Sequence, residues 1–247
     1  MAKTFLTAEW RKLIMANYVV PESLLRPYLP CGTELDTYNG QCYVSLVGFL
    51  FQETRLKGLR VPFHVEFEEV NLRFYVRRID RTGLQKRGVV FIKELVPRFA
   101  LSFVAKTFYE ENYATVRMQH EWLRSGAGLS VAYRWGTKSA WHEMRVSAAS
   151  EAQPIGIASE EEFFTEHYWG YTKLRAGGTS EYEVLHPRWQ IYPVKQYAID
   201  VDFGQVYGAT FSDLSNQQPE SLLLAEGSEV VVRSGARIDQ LLCSVIS

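Results

Sequence analysis

The sequence of 247 residues lacks several features that assign a chain to a common class. No apolar run approaches the roughly 20 residues of a membrane helix, so we expect no membrane association. There is no phosphate loop, no G-x-G-x-x-G and no G-x-S-x-G segment, which leaves nucleotide binding and serine hydrolysis without support. Because no repeat, low-complexity tract or Pro/Ser-rich linker is present, we expect one domain spanning residues 1–247.

Cysteine, histidine and excess charge are also scarce. The three cysteines, Cys31, Cys42 and Cys243, have no C-x-x-C spacing. Their odd number, together with the lack of a signal peptide, is typical of reduced thiols, so we expect a cytoplasmic protein. The five histidines show neither i, i+4 nor H-x-H spacing, which predicts no metal site and, with no other motif, no cofactor. A formal net charge of -1 argues against a nucleic-acid partner.

Aromatic residues, in contrast, make up 14% of the chain, with 14 Tyr and 14 Phe. They favour β-strands and pocket walls. Turn signals separate the aromatic segments into about ten to twelve predicted strands with two or three helices. This pattern predicts a mainly β (α+β) fold, in which an antiparallel sheet closes on itself or packs on another sheet.

Turn and cap residues mark the ends of several elements. Asn39-Gly40 separates two apolar strands and is the strongest short signal for a β-hairpin. Ser159 and Glu162 form a capping box at the start of a helix. The predicted helices are residues 21–28, 97–110 and 159–171.

One long strand, residues 62–78, forms the centre of the predicted sheet. It is rich in Val, Phe, Leu and Tyr and contains no Gly or Pro after its first residue. Its side chains alternate between two faces. One face carries Glu68, Val70, Leu72, Phe74 and Val76, and the other carries Phe67, Glu69, Asn71, Arg73 and Tyr75. We expect the second, polar face to line a cavity.

The next strand, residues 87–96, is predicted to run antiparallel to the central one. Strict alternation places Val89, Phe91 and Lys93 on one face and Val90, Ile92 and Glu94 on the other.

Five separated segments resemble one protein family. They are the central strand and residues 89–97 (VVFIKELVP), 110–113 (EENY), 166–171 (EHYWGY) and 186–189 (HPRW). In this order they resemble the YqjF-like family of uncharacterised bacterial proteins (domain of unknown function 2071). That family is distantly similar to acetoacetate decarboxylase. The resemblance implies a closed antiparallel β-barrel, cone-shaped, with an internal cavity and flanking helices, and it implies that homo-oligomers can form.

The decarboxylases use a lysine that forms a Schiff base with a β-keto acid and must be neutral to attack. The corresponding positions here are Tyr113 and Ala114, and neither side chain can form an imine. The family's arginine falls near Arg11 and its glutamate near Glu69. The resemblance therefore implies a polar pocket that has lost its nucleophile. Lys93 and Lys106 are the candidates to replace the Schiff-base lysine, but an isolated lysine is more often a solvated charge or an ion-pair partner.

These residues form a candidate site for a small organic acid or carbonyl compound. Arg73 would grip an acid with two hydrogen bonds, Asn71 would orient it and Glu69 would move a proton. The candidate catalytic residues are Glu69, Arg73 and Tyr113; the candidate substrate-binding residues are Arg11, Asn71, Tyr75, Glu94, His167 and Tyr171. The alternative is a structural network in which Arg73 bridges Glu69 or Glu94, because buried charges are normally paired.

The predicted helix 159–171 would present a polar and aromatic face near this site. On it, His167 is either an acid or base near neutral pH or a structural hydrogen-bonding group. For function, two classes stay open. One is an enzyme with lyase-like or acid-base chemistry and no covalent imine, and the other is a non-catalytic binding or sensor module.

Overall fold

The computed structural model describes residues 3–60, 62, 64–97, 112–126, 128–136 and 140–238, and this part of the chain is mainly β. It contains sixteen strands. In chain order they are β1 (Thr4–Val20), β2 (Glu34–Leu35), β3 (Cys42–Leu56), β4 (Leu59–Arg60), β5 (Phe67–Ile79), β6 (Gln85–Pro97), β7 (Tyr113–Ser125), β8 (Gly128–Gly136), β9 (Trp141–Ala149), β10 (Gln153–Pro154), β11 (Trp169–Lys173), β12 (Thr179–Leu185), β13 (Gln190–Tyr192), β14 (Val194–Asp200), β15 (Ser221–Arg233) and β16 (Ala236–Ile238). The helix predicted at 97–110 lies outside the described residues, except for Pro97, which ends β6.

The described helices are short. They are α1 (Glu22–Leu25), α2 (Glu160–Thr165) and α3 (Phe203–Tyr207), with 3₁₀ helices at Arg26–Tyr28 and Ala209–Asn216. The helix predicted at 21–28 is confirmed as α1 followed by a 3₁₀ turn. The predicted cap of α2 is also confirmed, since Ser159 Oγ accepts a hydrogen bond from the Glu162 amide at 3.2 Å. Within the described ranges, no helix has the length and apolar character needed to cross a membrane.

Seven strands form a closed ring of hydrogen-bonded neighbours. The order is β6, β11, β12, β15, β1, β3 and β5, and β5 pairs with β6 to close the ring. The strands β7, β8, β9 and β14 continue outward from β6 as an attached sheet. The predicted mainly β fold with a closed sheet is therefore confirmed.

The expectation of an entirely antiparallel sheet is wrong at two places. β6 pairs in parallel with β11 and with β7. Parallel neighbours need a crossover of about a dozen residues or more, and the connection from Pro97 to Tyr113 is long enough for one.

Two clusters of buried apolar side chains lie on the two faces of the ring strands. On β5, Val70, Leu72 and Phe74 belong to the first cluster, which also takes side chains from the attached sheet and α3. Phe67 and Tyr75, on the other face, belong to the second cluster. Because the ring strands β1, β3, β5, β6, β12 and β15 all contribute to it, the second cluster fills the interior of the ring.

The Asn39-Gly40 turn is present, but the strands before and after it do not form the predicted hairpin. Both residues have positive φ, 50° and 77°, and Tyr38 forms an isolated bridge with Gln41 across the turn. The strand before the turn is only β2, and it pairs with β5 rather than with β3. The Asn39-Gly40 dipeptide therefore predicted the turn correctly, but it did not predict which strands pair.

The cysteines differ in state. Cys42 is a free, buried thiol in the first cluster, and its pKa is raised by burial. Cys31 is disulfide-bonded, so the expectation of reduced thiols is wrong for this residue.

A β-bulge in β1 changes which side chains face the interior. The register between β1 and β3 shifts between Arg11 and Ile14, and Lys12 has a φ of 53°. Opposite Arg11, β15 carries Gly227 with a φ of 78°. A Cβ atom on Gly227 would lie 1.9 Å from the carbonyl oxygen of Trp10, so only glycine fits there.

We expect Gly227→Ala to lower the free energy of unfolding by more than about 3 kcal/mol, since left-handed strain and a backbone clash add. Gly83→Ala is the matched control, because Gly83 has a φ of 83° and nothing within 4 Å of the added Cβ. It should lose only about 1–2 kcal/mol. Urea unfolding of both variants measures the difference. Equal losses would contradict a close approach at Gly227.

Candidate functional site

A cavity of about 40 Å³ lies inside the ring, next to the second cluster. By the usual requirement of about 10–15 Å³ for each water, it has room for roughly three water molecules. Its walls are mostly aromatic and aliphatic, with a few polar groups. The lining residues are Trp10, Leu13, Phe49, Phe51, Glu69, Asn71, Arg73, Val89, Phe91, Glu94, His167, Trp169, Gly170, Tyr182 and Val184.

The polar row of β5 faces this cavity, as the alternation in the sequence predicted. Glu69 is 3% exposed, Asn71 is 1% exposed and Arg73 is 9% exposed. The Asn71 Nδ2 amide donates a hydrogen bond to Glu69 Oε1 at 2.9 Å. The row is therefore held by neighbours on its own strand and is removed from bulk water.

Arg73 carries a buried positive charge without a carboxylate partner among the described residues. Its Nη2 donates to the carbonyl oxygen of Phe164, in α2, at 3.3 Å, and its guanidinium lies 5.8 Å from the ring centre of Tyr75. No ion pair joins Arg73 to Glu69 or Glu94. The bridge from Arg73 to Glu69 or Glu94, which the alternative of a structural network proposes, is therefore not formed in the described structure.

Glu94 reaches the cavity because the pairing of β5 with β6 contains a register shift. Leu72 pairs with Lys93 and Arg73 pairs with Phe91, so Ile92 is left out of the register. This shift brings Glu94 to the same side as Val89 and Phe91, against the strict alternation that we predicted. Sequence periodicity alone cannot show such a shift.

Tyr113 contacts the site through Glu94. It begins β7 and is half-buried, and its hydroxyl donates to Glu94 Oε1 at 2.9 Å. It is not among the residues that line the cavity. Tyr113 is therefore placed to hold Glu94 rather than to touch a ligand directly.

His167 lies in the segment between α2 and β11, not on a helix. The helix predicted to reach residue 171 ends at Thr165, because Trp169 and Gly170 pair with Gly88 and Val89 of β6. His167 still lines the cavity and is 8% exposed. The predicted helical face from 166 to 171 is thus wrong, but its histidine reaches the site.

Asp36, which no sequence pattern singled out, holds His167. His167 Nε2 lies 3.1 Å from Asp36 Oδ2, which also accepts a hydrogen bond from Arg87 Nε at 2.6 Å. Burial opposes the ionisation of Asp36, but the hydrogen bonds from His167 and Arg87 outweigh it and lower its pKa. No local signal marks this contact, because 131 positions separate the two residues.

The imidazole of His167 is neutral at physiological pH. Burial lowers its pKa to about 4, although the hydrogen bond with Asp36 acts in the opposite direction. Since Asp36 is ionised, the proton of the neutral ring lies on Nε2, and Nδ1 carries a lone pair.

Three other predicted binding residues do not line the cavity. Arg11 pairs instead with Glu9 at 2.8 Å, and its neighbour Trp10 faces the interior. Tyr171 belongs to the first cluster, on the opposite face. Tyr75 is buried against Phe163 and Phe164 of α2, and its hydroxyl lies 2.6 Å from Ser45 Oγ. These residues support the ring but do not form the cavity wall.

The cavity wall contains no lysine within the described ranges. Lys12 is buried, and burial lowers its pKa, but its Nζ lies 2.5 Å from Glu226 Oε2 and 3.3 Å from the Tyr192 hydroxyl. Lys93 Nζ donates to the carbonyl oxygen of Val206 at 2.6 Å. Lys106 lies outside the described residues. In the part of the chain that is described, no cluster of three or more His, Cys, Asp or Glu could hold a metal ion.

Several buried polar atoms of cavity residues have no hydrogen-bond partner among the described residues. They include Trp10 Nε1, Asn71 Oδ1, Arg73 Nε and His167 Nδ1. Buried polar groups normally find partners, in protein or ordered water. The named atoms converge on one cavity, where ordered water or a small polar molecule could supply the missing partners.

Comparison with solved structures gives the class of fold. Acetoacetate decarboxylase from Legionella pneumophila superposes with a TM-score of 0.63 at 10% identity, covering 96% of this chain and 88% of that one. The enduracididine biosynthesis enzyme MppR, complexed with pyruvate, gives 0.67 at 11% identity, covering 98% and 92%. An acetoacetate decarboxylase-like enzyme from Sphingomonas wittichii gives 0.61 at 10% identity, covering 96% and 94%. The chain therefore has the acetoacetate decarboxylase-like fold.

Comparison of sequences gives the family. The model of the family described as "Uncharacterized conserved protein", DUF2071, matches residues 7–229. The uncharacterized protein YqjF of Bacillus subtilis is 30% identical over 179 residues, which are 72% of this chain and 70% of that protein. The chain belongs to the DUF2071 family, as the five segments had indicated.

Burial of a neutral histidine makes stability depend on pH. The unfolded chain binds a proton at His167 near pH 6.5, but the folded chain binds it only near pH 4. Between these values the unfolded state holds more protons, so acid lowers the free energy of unfolding by up to about 1.4 kcal/mol per pH unit. We expect His167→Gln, which keeps an N–H donor for Asp36, to remove this part of the slope.

Urea unfolding from pH 7 to pH 4 measures the two slopes. His64→Gln makes the same chemical change at a partly exposed histidine and should leave the wild-type slope intact. An unchanged slope in His167→Gln would show that His167 is not the group that titrates.

Proposed function

We propose that the chain binds a small organic acid or carbonyl compound in the cavity of the strand ring. The observation that carries this proposal is the buried Arg73, which has no carboxylate partner among the described residues. An arginine stays charged at all ordinary pH values and costs several kcal/mol to bury without a partner. A bound carboxylate would complete this site with charge-assisted hydrogen bonds.

The mostly apolar wall supports a ligand that is only partly polar. Phe49, Phe51, Val89, Phe91 and Val184 surround the polar groups. Such walls exclude water and strengthen each electrostatic contact inside. A short acid with a small apolar portion fits this combination better than a sugar or a nucleotide, which would need many more polar partners.

Any chemistry at this site would be lyase-like or acid-base chemistry without a covalent imine. The decarboxylase lysine positions correspond to Tyr113 and Ala114, and Lys12 lies on the opposite side of the strands, in an ion pair. The groups available for proton transfer are Glu69, the Tyr113–Glu94 pair and His167, which is held by Asp36.

A non-catalytic binding or sensor module is the second candidate. It is favoured by the low basicity of the buried His167, which makes that side chain a weak proton acceptor. Both candidates require ligand binding, and only the enzyme requires turnover. Product analysis with a bound acid therefore separates them.

We expect Arg73→Leu to weaken the binding of short carboxylates by about 10- to 150-fold, the loss that corresponds to a charge-assisted hydrogen bond of about 1.5–3 kcal/mol. Arg77→Leu is the control, since Arg77 lies on the same strand but is exposed and paired with Glu34 at 3.4 Å. Calorimetry with acetate, propionate and butyrate measures both variants.

A structural role for Arg73 gives a different result. If the charge only completes an internal network, Arg73→Leu should lose about 3–5 kcal/mol of stability, and no acid should bind the wild type. Thermal unfolding of the variant and of the wild type, with and without acids, distinguishes the two roles.

We also expect no imine with β-keto or 2-oxo acids. Treatment with borohydride in the presence of acetoacetate or pyruvate should leave the protein mass unchanged, because the amino group of Lys12 is held in an ion pair outside the cavity. Mass spectrometry of the intact chain measures the result. A lysine adduct that the free acid competes away would overturn the mechanism without an imine.

A further inference from the structure

The cavity atoms named above, which have no hydrogen-bond partner among the described residues, include both donors and acceptors, and this mixture restricts the ligand that could bind there. Trp10 Nε1 and Arg73 Nε each carry a hydrogen to donate. Whether Asn71 Oδ1 and His167 Nδ1 donate or accept depends on the groups that hold these side chains. The identity of the ligand therefore depends on whether these two atoms donate or accept.

The amide of Asn71 is oriented by a carboxylate. Its Nδ2 donates to Glu69 Oε1 at 2.9 Å. An ionised carboxylate only accepts hydrogen bonds, so this contact places the NH₂ group toward Glu69. The remaining oxygen, Oδ1, is an acceptor.

The imidazole of His167 is oriented in the same way. Its Nε2 faces Asp36 Oδ2 at 3.1 Å, and Arg87 Nε donates to the same oxygen at 2.6 Å. An ionised Asp36 requires the proton of the ring on Nε2, which leaves Nδ1 as an acceptor. Burial, together with the nearby charges of Arg87 and Arg73, keeps the pKa of the ring low, so a second proton is not bound at neutral pH.

The donors and acceptors lie close to one another. Asn71 and Arg73 are two positions apart on the same face of β5. His167 follows three positions after Phe164, whose carbonyl oxygen accepts from Arg73. A ligand that meets both kinds of group must therefore be short, which agrees with a cavity of about 40 Å³.

We infer that the cavity selects a short hydroxy acid, whose carboxylate lies on Arg73 and whose hydroxyl donates its one hydrogen to Asn71 Oδ1 or to His167 Nδ1. This inference rests on the proposed function and adds a substrate class to it. A 2-oxo acid presents an acceptor oxygen to two acceptors and is disfavoured.

Four ligands of three carbons test the selection: propionate, lactate, 3-hydroxypropionate and pyruvate. We expect one of the two hydroxy acids to bind the wild-type chain about tenfold more tightly than propionate, as one neutral hydrogen bond provides. Pyruvate should bind more weakly than propionate. Calorimetry gives all four dissociation constants, and this part needs no variant to fold.

Two variants test the acceptors. Asn71→Leu and His167→Phe each remove one acceptor while keeping a side chain of similar size. In at least one of them the ratio of the propionate and hydroxy-acid dissociation constants should fall from about ten to about one. A ratio that stays near ten in both folded variants overturns the assignment to these atoms.

Different binding results would overturn this inference and the proposed function. If all four acids bind equally and all depend on Arg73, the acid site stands and the selection of a hydroxyl is wrong. Pyruvate as the tightest ligand also overturns the selection. If none of the four binds, or if binding persists in Arg73→Leu, the proposed function itself is wrong.

Discussion

The interior of the strand ring contains a guanidinium that the described residues do not neutralise. Moving a charge from water into protein costs several kcal/mol even after relaxation, and a partner acid normally offsets this cost. Among the described residues, Arg73 contacts the Phe164 carbonyl oxygen and the face of Tyr75, which are weaker partners than a carboxylate. The surrounding ring must therefore hold Arg73 in place, and β5 can do so because it pairs with a strand on each side.

The support of Arg73 extends to α2 and the segment after it. Phe163 and Phe164 pack against Tyr75, and the ring of His167 lies against the same ring at a tilt of 52°, with centroids 4.8 Å apart. Asp36 then ties His167 to Arg87 on β6. These contacts connect α2, β5 and β6 around one end of the polar row. A change in any of them would alter the position of the carbonyl oxygen that Arg73 contacts.

The sequence predicted the polar row because β5 follows regular alternation through it. Side chains alternate between the two faces of a regular strand, so Glu69, Asn71 and Arg73 share one face in the structure, as the sequence predicted. Strict alternation gave the wrong face for Glu94 on β6, because Ile92 has no partner in the register with β5. Bulges are set by pairing with the neighbouring strand, and a single strand sequence does not record them.

Longer-range effects explain the other differences. Residues 166–171 follow a polar and aromatic pattern, yet the helix ends at Thr165, and the pairing of Trp169 and Gly170 with β6 begins the strand β11. Close packing fixes Gly170 there, since a Cβ on it would lie 2.1 Å from Cζ of Tyr182. Tertiary pairing thus outweighs local propensity. The contact between Asp36 and His167 is likewise a product of the fold and has no local pattern.

The bulge in β1 determines which chemical group the cavity receives from that strand. Before the bulge, the even positions Leu6, Ala8 and Trp10 face the interior of the ring. Continued alternation would place Lys12 there as well. The register shift instead sends Leu13 inward and leaves Lys12 with Glu226 on the opposite face. One extra residue in β1 therefore gives the cavity the aliphatic side chain of Leu13 in place of the amine of Lys12, so that β1 brings no amino group that could attack a carbonyl.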